Sequence, residues 1–291
     1  MRSAILLAAA VTLGCGAATG RSSSDGGAAD MAVMSGPEAN PPKLATLILQ
    51  SYFFTGLAMA SATATFSTYD GGMSGPCSVM AAGACRLRSC PRDSDMGGIA
   101  RPPMRTNVGG GTVTLTGPSG AMPLAVGSDG SYSLSLGSAK PWDGGESFTM
   151  SATGDAVPAF TTSILATSRP RMLTPARPAM NGPTPTVTRA SGLPITWKAA
   201  SPGTLTITVA TDTPTAFLAL LCDAPTSAGS YTVAPEALAA LPADGTDTTL
   251  TANVANTSTL MAGDWPVTFT VENVPNDDAQ DLPWIMGITW Q

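Results

Sequence analysis

The chain has 291 residues, with 14 Lys and Arg against 20 Asp and Glu, and it contains no histidine. A net charge of −6 and a charged fraction of only 12% argue against nucleic acid and anionic membrane surfaces as partners. Without histidine the chain can form neither a Ser-His-Asp nor a Cys-His catalytic site, and it can hold no His-ligated metal.

The N-terminus carries the pattern of an export signal. An apolar run, Ala4–Leu13, is too short to span a membrane as a helix and is followed directly by Gly14 and Cys15. This junction resembles the bacterial lipobox, in which the cysteine receives the lipid and becomes the first residue. The resemblance implies removal of residues 1–14 and lipidation of Cys15, whereas an incidental cysteine in a plain secreted precursor is the alternative. Gly16 is similar to the residue found in signals that pass to the outer membrane, so we expect an exported protein anchored there through its lipid, on the periplasmic or surface face.

Residues 15–42 are predicted to form a disordered tether. The segment consists mainly of Gly, Ala, Ser, Asp and Pro and has no apolar period. Such a composition cannot bury enough surface to offset the entropy of folding. We therefore expect the folded part to begin at residue 43 and to hang clear of the bilayer.

From Leu44 onward, short alternating apolar runs separated by turn residues predict an all-β fold. Between two of these runs, Asp129-Gly130 predicts a tight hairpin. The exception is Ala234–Leu241, where a proline at the first helical position predicts one or two helical turns. The predicted strands are Leu44–Phe53, Leu57–Phe66, Cys77–Met80, Cys85–Ser89, Gly111–Thr116, Pro123–Val126, Tyr132–Leu136, Ser147–Ala152, Ala159–Ala166, Leu193–Trp197, Gly203–Ala210, Ala216–Cys222, Gly229–Val233, Asp247–Asn256, Val267–Val271 and Trp284–Trp290.

Five prolines between positions 170 and 185 predict a linker over residues 169–188, because proline lacks the donor that a central strand needs. The expected domains are a β-sandwich-like domain with a cysteine-rich hairpin at 43–168 and a second β-sandwich at 189–291. In the second, Leu193–Trp197 and Gly203–Val209 are similar to the opening strands of fibronectin type III and related immunoglobulin-like modules. That resemblance implies an immunoglobulin-like sandwich in which Trp197 fills the core.

More broadly, the segments at 144–160, 193–197 and 222–238 resemble a group of uncharacterised bacterial lipoproteins. That group carries no assigned activity, so the resemblance implies fold and location and adds no catalytic residue.

The cysteine count predicts disulfides. With Cys15 assigned to lipid, Cys77, Cys85, Cys90 and Cys222 make an even number in a chain bound for an oxidising compartment, which favours two disulfides. A zinc site is the alternative, but it would lack both a Cys-x-x-Cys pair and histidine. Four cysteines allow three pairings. A hairpin in this region would bring Cys77 near Cys90 and leave Cys85 on the other face for Cys222.

An arginine cluster is the most unusual polar feature of the sequence. Arg86 and Arg88 flank Leu87, so on a strand they would share one face and could bind an anion or carboxylate through their guanidinium forks. A solvated face paired with Asp93 and Asp95 is the favoured interpretation, and the anion site is the alternative. The cluster consists of Arg86, Arg88, Arg92, Arg101 and Arg105.

Two further candidate sites involve tryptophans and acidic residues. Trp142 and Trp265 lie beside turn residues, so of the five tryptophans they are the candidates for exposure and for stacking on a glycan ring, but a buried or half-buried packing role is favoured over glycan binding. Asn276–Asp281 collects oxygen donors of the kind calcium prefers, but it lacks the spacing of an EF-hand, and an exposed acidic turn is the alternative.

The sequence thus predicts a non-catalytic, lipid-anchored cell-envelope protein that serves as a structural or interaction module and uses no cofactor or metal. Its expected partners are the membrane, through the lipid on Cys15, and envelope proteins or glycans. A carbohydrate- or ligand-binding lipoprotein is one alternative, and a hydrolase with a carboxylate pair is another.

Overall fold

The computed structural model describes residues 43–54, 57–70, 77–91, 104–137, 142–178, 183–242, 246–277 and 284–291. The predicted signal at 1–14 and the predicted tether at 15–42, including Cys15, lie outside these residues. Arg92 and Arg101 also lie outside them. Over the described residues the protein is all-β, as the alternating pattern predicted.

Most strands of the N-terminal part match predicted runs, and β10 has the predicted bounds, whereas β5, β7 and β12 were not predicted as strands. Runs that alternate between buried and exposed residues form the strands, because successive side chains of a strand point to opposite faces. The strands are β1 Lys43–Phe54, β2 Leu57–Asp70, β3 Ser78–Ala82, β4 Cys85–Pro91, β5 Met104–Asn107, β6 Val113–Gly117, β7 Gly120–Pro123, β8 Ala125–Val126, β9 Tyr132–Gly137, β10 Ser147–Ala152, β11 Phe160–Leu165 and β12 Arg171–Thr174.

The C-terminal part contains ten further strands and one short α-helix among the described residues. This α-helix, α1 Pro235–Leu238, lies where one or two helical turns were predicted, with proline at its start. The strands are β13 Thr186–Val187, β14 Leu193–Trp197, β15 Thr204–Asp212, β16 Ala216–Pro225, β17 Ser230–Val233, β18 Thr246–Ala262, β19 Trp265–Asn273, β20 Asn276–Asp277, β21 Ile285–Gly287 and β22 Thr289–Trp290.

The predicted hairpin at Asp129-Gly130 joins β8 to β9. Its loop, Gly127–Ser131, is longer than a two-residue turn and is closed by a hydrogen bond of 2.7 Å from the Gly127 N–H to the Ser131 carbonyl. Gly130 has a φ of 76°, which glycine adopts without the cost that a side chain would impose. The Asp129 side chain accepts hydrogen bonds from the backbone and the hydroxyl of Ser131, and these bonds lower the pKa of its carboxyl.

One sheet, called here the long sheet, runs through most of the molecule in the strand order β3-β4-β16-β15-β18-β19-β1-β2-β9-β8. Its central strand, β18, has 17 residues. The first part of β18 pairs with β15 and the second part with β19, and both pairings are antiparallel. β19 pairs in parallel with β1, the first described strand, so strands from the N-terminal and C-terminal parts are neighbours in the sheet.

Two hydrophobic cores lie on one face of the long sheet and make the fold a β-sandwich. In the first core, β1, β2 and β19 pack against a four-stranded sheet ordered β11-β10-β6-β7. In the second core, β4, β15, β16 and β18 pack against a four-stranded sheet ordered β17-β14-β12-β20. The strand register shows that both cores share a face. Val254 of the second core pairs with Asn273 across β18 and β19, so their side chains lie on the same face of the sheet. Asn273 is two residues from Val271 of the first core and therefore shares its face as well.

The strand pairing requires corrections to the predicted boundaries. The hairpin β3–β4, assigned from sequence to a domain at 43–168, packs in the second core, where β4 pairs with β16. Conversely β19, assigned to a domain at 189–291, packs in the first core beside β1. Each core therefore contains strands from both sides of the predicted linker.

The expectation that no central strand passes through the proline-rich stretch is wrong. β12 lies between β14 and β20, and its Met172 is buried in the second core. The strand fits because Pro170 and Pro175 flank it and no proline lies within it. β13, within the same stretch, pairs with β22.

A buried polar cluster separates the two cores. Ser51, Thr167 and Asn273 are each at most 2% exposed. The Asn273 Nδ2 donates to the carbonyl and the hydroxyl of Thr167, each at 2.8 Å. Arg169 Nη2 donates to Ser51 Oγ at 2.5 Å and to Asn273 Oδ1 at 3.5 Å. We call these four residues the polar seam; their mutual bonds offset the cost of burying polar groups.

Candidate functional site: the disulfide-bonded edge hairpin

The hairpin β3–β4, at one edge of the long sheet, carries Arg86, Arg88, Cys85 and Cys90, and Cys77 directly precedes it. β3 is the edge strand, and β4 pairs with both β3 and β16. Val79 and Met80 on β3 are 57% and 54% exposed. Among the described residues, no strand pairs with the outer side of β3.

Two disulfides hold this hairpin, and they match the pairing that the hairpin geometry favoured. Cys77 is bonded to Cys90 within the hairpin, and Cys85 is bonded to Cys222 on β16. Cys85 and Cys222 are 4% and 0% exposed, whereas Cys77 and Cys90 are half-buried. The alternative of a zinc site at these four cysteines is therefore ruled out by their use in disulfides.

Arg86 and Arg88 share the outward face of β4, as their spacing predicted. The residues between and beside them, Cys85 and Leu87, point into the second core. Arg86 forms an ion pair with Asp223, with 2.7 Å between Nη2 and Oδ2. Asp223 also accepts a hydrogen bond from the Thr206 hydroxyl.

Asp223 is the residue that sequence reasoning missed in this cluster, since Asp93 and Asp95 were named as the acidic partners. Those two residues lie outside the described part of the chain. A signal was present nonetheless, because Asp223 directly follows Cys222 and Arg86 directly follows Cys85. A disulfide between those cysteines places the two following residues on the same face of adjacent strands.

Arg88 lies beside the half-buried disulfide. Its Nη2 is 3.6 Å from Cys77 Sγ. The strand register places Arg88 between Val79 on β3 and Ala219 on β16. Arg105, the remaining described member of the arginine cluster, is on β5 and donates to Ser67 and Asn107, so it is not brought to this hairpin.

Trp142 and Trp265 take the packing role that the sequence favoured, and the alternative of exposed rings that stack on a glycan is wrong. Their exposed fractions are 5% and 2%, and both belong to the first core. Trp142 packs edge-to-face on Phe148, with 5.6 Å between ring centroids. Trp265 lies under the ammonium of Lys43, 5.5 Å from the ring centroid. Turn residues beside a tryptophan do not prevent its ring from folding inward, where burial of a large apolar surface is more favourable.

Lys43 makes a second contact at this end of the first core. Its Nζ is 2.6 Å from Asp264 Oδ2, and the hydrogen bond lowers the pKa of the Asp264 carboxyl.

Trp197 is buried in the second core, as expected, and its Nε1 donates to the Thr226 carbonyl at 2.7 Å. Asn276 and Asp277 form the short strand β20, and the rest of the proposed calcium segment lies outside the described residues. Within the described residues, no group of three or more acidic or cysteine side chains could hold a metal ion.

No family model, curated protein or solved structure matches the chain. A functional assignment therefore depends on the chemistry of these residues and on their arrangement in the fold.

Proposed function

We propose that the protein is an exported, lipid-anchored and non-catalytic component of a bacterial cell envelope, which acts as an interaction module. The observation that carries the proposal is the use of its cysteines. The chain has five, and four of them are paired in the two disulfides. Cys15 is the one left over, and it follows Gly14 at the end of the apolar run.

The disulfides support export, because structural disulfides persist in oxidising compartments and are rare in the cytosol. The Cys85–Cys222 bond joins residues separated by 137 positions and lies inside the second core. A fold with such a bond in its interior suits assembly outside the cytoplasm. Among the described residues, no helix is long and apolar enough to cross a membrane.

An interaction role is supported by the shape of the fold and by the way its charged groups are used. The described ion pairs, Lys43 with Asp264 and Arg86 with Asp223, are exposed and connect neighbouring elements of the long sheet. In the proposal, the two cores act as immunoglobulin-like or fibronectin-like modules that present sheet faces and edges to envelope partners. The glycan-binding alternative loses its stacking platform with the burial of Trp142 and Trp265, and ligand binding is left with Arg86 and Arg88.

Metabolic labelling with an alkyne analogue of palmitate tests the anchor. The wild-type protein should be labelled and recovered with membranes, and Cys15→Ser should lose both the label and membrane retention. The matched control is the double substitution Cys77→Ala and Cys90→Ala, which removes two other cysteines and should leave labelling unchanged. Labelling of Cys15→Ser, or an unlabelled wild-type protein in the soluble fraction, would refute the proposal.

A further inference from the structure

We propose that the Cys77–Cys90 disulfide is a thiol–disulfide exchange site that accepts electrons from a dithiol, with Cys90 as the attacked sulfur and Cys77 as the leaving group. This goes beyond the proposed function and does not depend on the lipid anchor.

Access distinguishes this disulfide from the second one in the same hairpin. Cys90 is on the outward face of β4, opposite Phe217, which is 41% exposed. Both Cys77 and Cys90 are half-buried, so a small thiol can approach them. Cys85 and Cys222 lie in the second core, where the Tyr231 hydroxyl is 3.6 Å from Cys85 Sγ.

The neighbouring charge decides which sulfur leaves. Arg88 Nη2 is 3.6 Å from Cys77 Sγ, and a guanidinium beside a sulfur stabilises its thiolate form. Thiol–disulfide exchange is faster when the departing thiol is the more acidic one. Attack is therefore directed to Cys90. Arg86, two residues away on the same face, pairs with Asp223, so it serves as a comparison cation that does not act on this bond.

The exchange balances in two steps. A thiolate of the dithiol attacks Cys90 Sγ, a sulfur–sulfur bond forms between them, and the Cys77–Cys90 bond breaks with its electron pair going to Cys77. The second thiol of the dithiol then loses its proton and attacks the first sulfur of the same dithiol, which is bonded to Cys90 Sγ. That bond breaks, and Cys90 leaves as a thiolate. The dithiol ends as a disulfide, and Cys77 and Cys90 end as two thiols once each thiolate has taken up a proton.

The consequence of the exchange is confined to the edge of the long sheet. Cys77 directly precedes β3, so reduction removes the covalent link between that end of β3 and β4. The Cys85–Cys222 bond still attaches β4 to β16. Reduction would thus loosen the strand that exposes Val79 and Met80 without opening either core.

Timed reduction of the folded protein tests the proposal. The purified protein is treated with dithiothreitol in the absence of denaturant, quenched with iodoacetamide at intervals, and analysed by peptide mass spectrometry. Cys77 and Cys90 should become alkylated at least roughly tenfold faster than Cys85 and Cys222. Equal rates for the two disulfides would overturn the inference.

Two further measurements test the role of Arg88. Arg88→Gln should slow reduction of the Cys77–Cys90 bond by about threefold or more, Arg88→Lys should restore most of the rate, and Arg86→Gln should leave it unchanged. With the monothiol glutathione, the first adduct should form on Cys90. An adduct mainly on Cys77, or a normal rate in Arg88→Gln, would show that Arg88 does not direct the exchange.

Discussion

At the scale of single residues, the polar seam places hydrogen-bonded polar side chains where the sequence pattern of β19 would accept an apolar one. Asn273 occupies a position on β19 that continues the apolar face formed by Val267, Phe269 and Val271. Its amide instead bonds Thr167 and Arg169, at the crossover from β11 to β12. A hydrophobic side chain at 273 would fit the alternation but would remove those bonds.

Asn273→Leu is expected to lower the free energy of unfolding by about 1–3 kcal/mol, because buried polar groups of Thr167 and Arg169 would lose hydrogen bonds. Equilibrium unfolding in guanidinium chloride measures this change. Thr259→Ala, an exposed position on β18, is the control and should change stability by less than about 0.5 kcal/mol. A loss in Asn273→Leu no larger than the control's would contradict the role of the seam.

Glu272 gives the fold a pH dependence with a definite sign. Burial raises the pKa of its carboxyl, and the hydrogen bond from Asn253 Nδ2 to Glu272 Oε2 opposes this only in part. Between the ordinary pKa and the raised one, the native state binds more protons than the unfolded state. Stability therefore falls as pH rises through that window.

Glu272→Gln removes this titration while keeping an acceptor for Asn253. The Tm of the variant minus the Tm of the wild type should be larger at pH 7 than at pH 4, because only at the higher pH does the wild type bury an ionised carboxylate. Thermal unfolding at both pH values measures this difference. Asp264→Asn is a comparison variant with the opposite pH dependence. The hydrogen bond from Lys43 lowers the pKa of the Asp264 carboxyl, so the ionised carboxyl stabilises the fold at higher pH, and the substitution should lower the Tm more at pH 7 than at pH 4. A Glu272→Gln difference that is independent of pH would contradict the assignment.

At the scale of elements, two disulfides in one hairpin have different structural effects. The Cys85–Cys222 bond closes a loop with a sequence separation of 137, and the Cys77–Cys90 bond one of 13. In the chain-entropy model the longer loop restricts the unfolded state more strongly. The first bond also joins β4 to β16 inside the second core, whereas the second lies on the outer face.

Replacing Cys85 and Cys222 together by alanine should cost about 5 kcal/mol of stability, and replacing Cys77 and Cys90 should cost about 3 kcal/mol, by the loop-length relation. Alanine is used because it introduces no buried hydroxyl. Guanidinium chloride unfolding of the two double variants measures the difference. A greater loss in the Cys77 and Cys90 variant would contradict the ordering.

Individual elements were the most predictable part of the fold. β10 and β14 have the predicted bounds, because clear alternation and adjacent turn residues define both ends. β18 was predicted to end at Asn256 but continues to Ala262. The sequence from 257 to 262, Thr-Ser-Thr-Leu-Met-Ala, has no apolar alternation that would have extended the prediction. β12 was missed because the flanking prolines were taken to exclude a strand across the whole stretch.

The pairing of elements could not be read from the pattern. Nothing in the alternation of β1 specifies β19, about 220 residues later, as its parallel neighbour. Of the candidate site, the disulfide pairing and the shared face of Arg86 and Arg88 were predictable, because both follow from the two-residue period of a strand. The partner of Arg86 and the burial of Trp142 depend on tertiary packing.

At the scale of the whole molecule, the long sheet joins both cores through β18. The described residues all belong to one compact unit. β18 pairs with β15 along its first part and with β19 along its second part. If the strands on one side of β18 unfolded, the remaining sheet would expose an unpaired edge of β18. We therefore expect the two cores to unfold together.

Tryptophans in each core report on this cooperativity. One variant replaces both tryptophans of the first core by phenylalanine (Trp142→Phe and Trp265→Phe), so that only tryptophans of the second core fluoresce. The other variant replaces the tryptophans of the second core (Trp197→Phe, Trp284→Phe and Trp290→Phe), so that only those of the first core fluoresce. In each variant the fluorescence midpoint in guanidinium chloride should coincide with the midpoint by circular dichroism. Separate midpoints would show that the cores are independent domains.

The most direct test of the proposed function is the intact mass of the protein purified from the membranes of cells that produce the full chain. We expect a chain that begins at Cys15, carries lipid on Cys15 and has its other four cysteines in two disulfides. A chain that retains Met1, or one that begins at Cys15 without lipid, would contradict the claim that this β-sandwich is a lipid-anchored envelope protein.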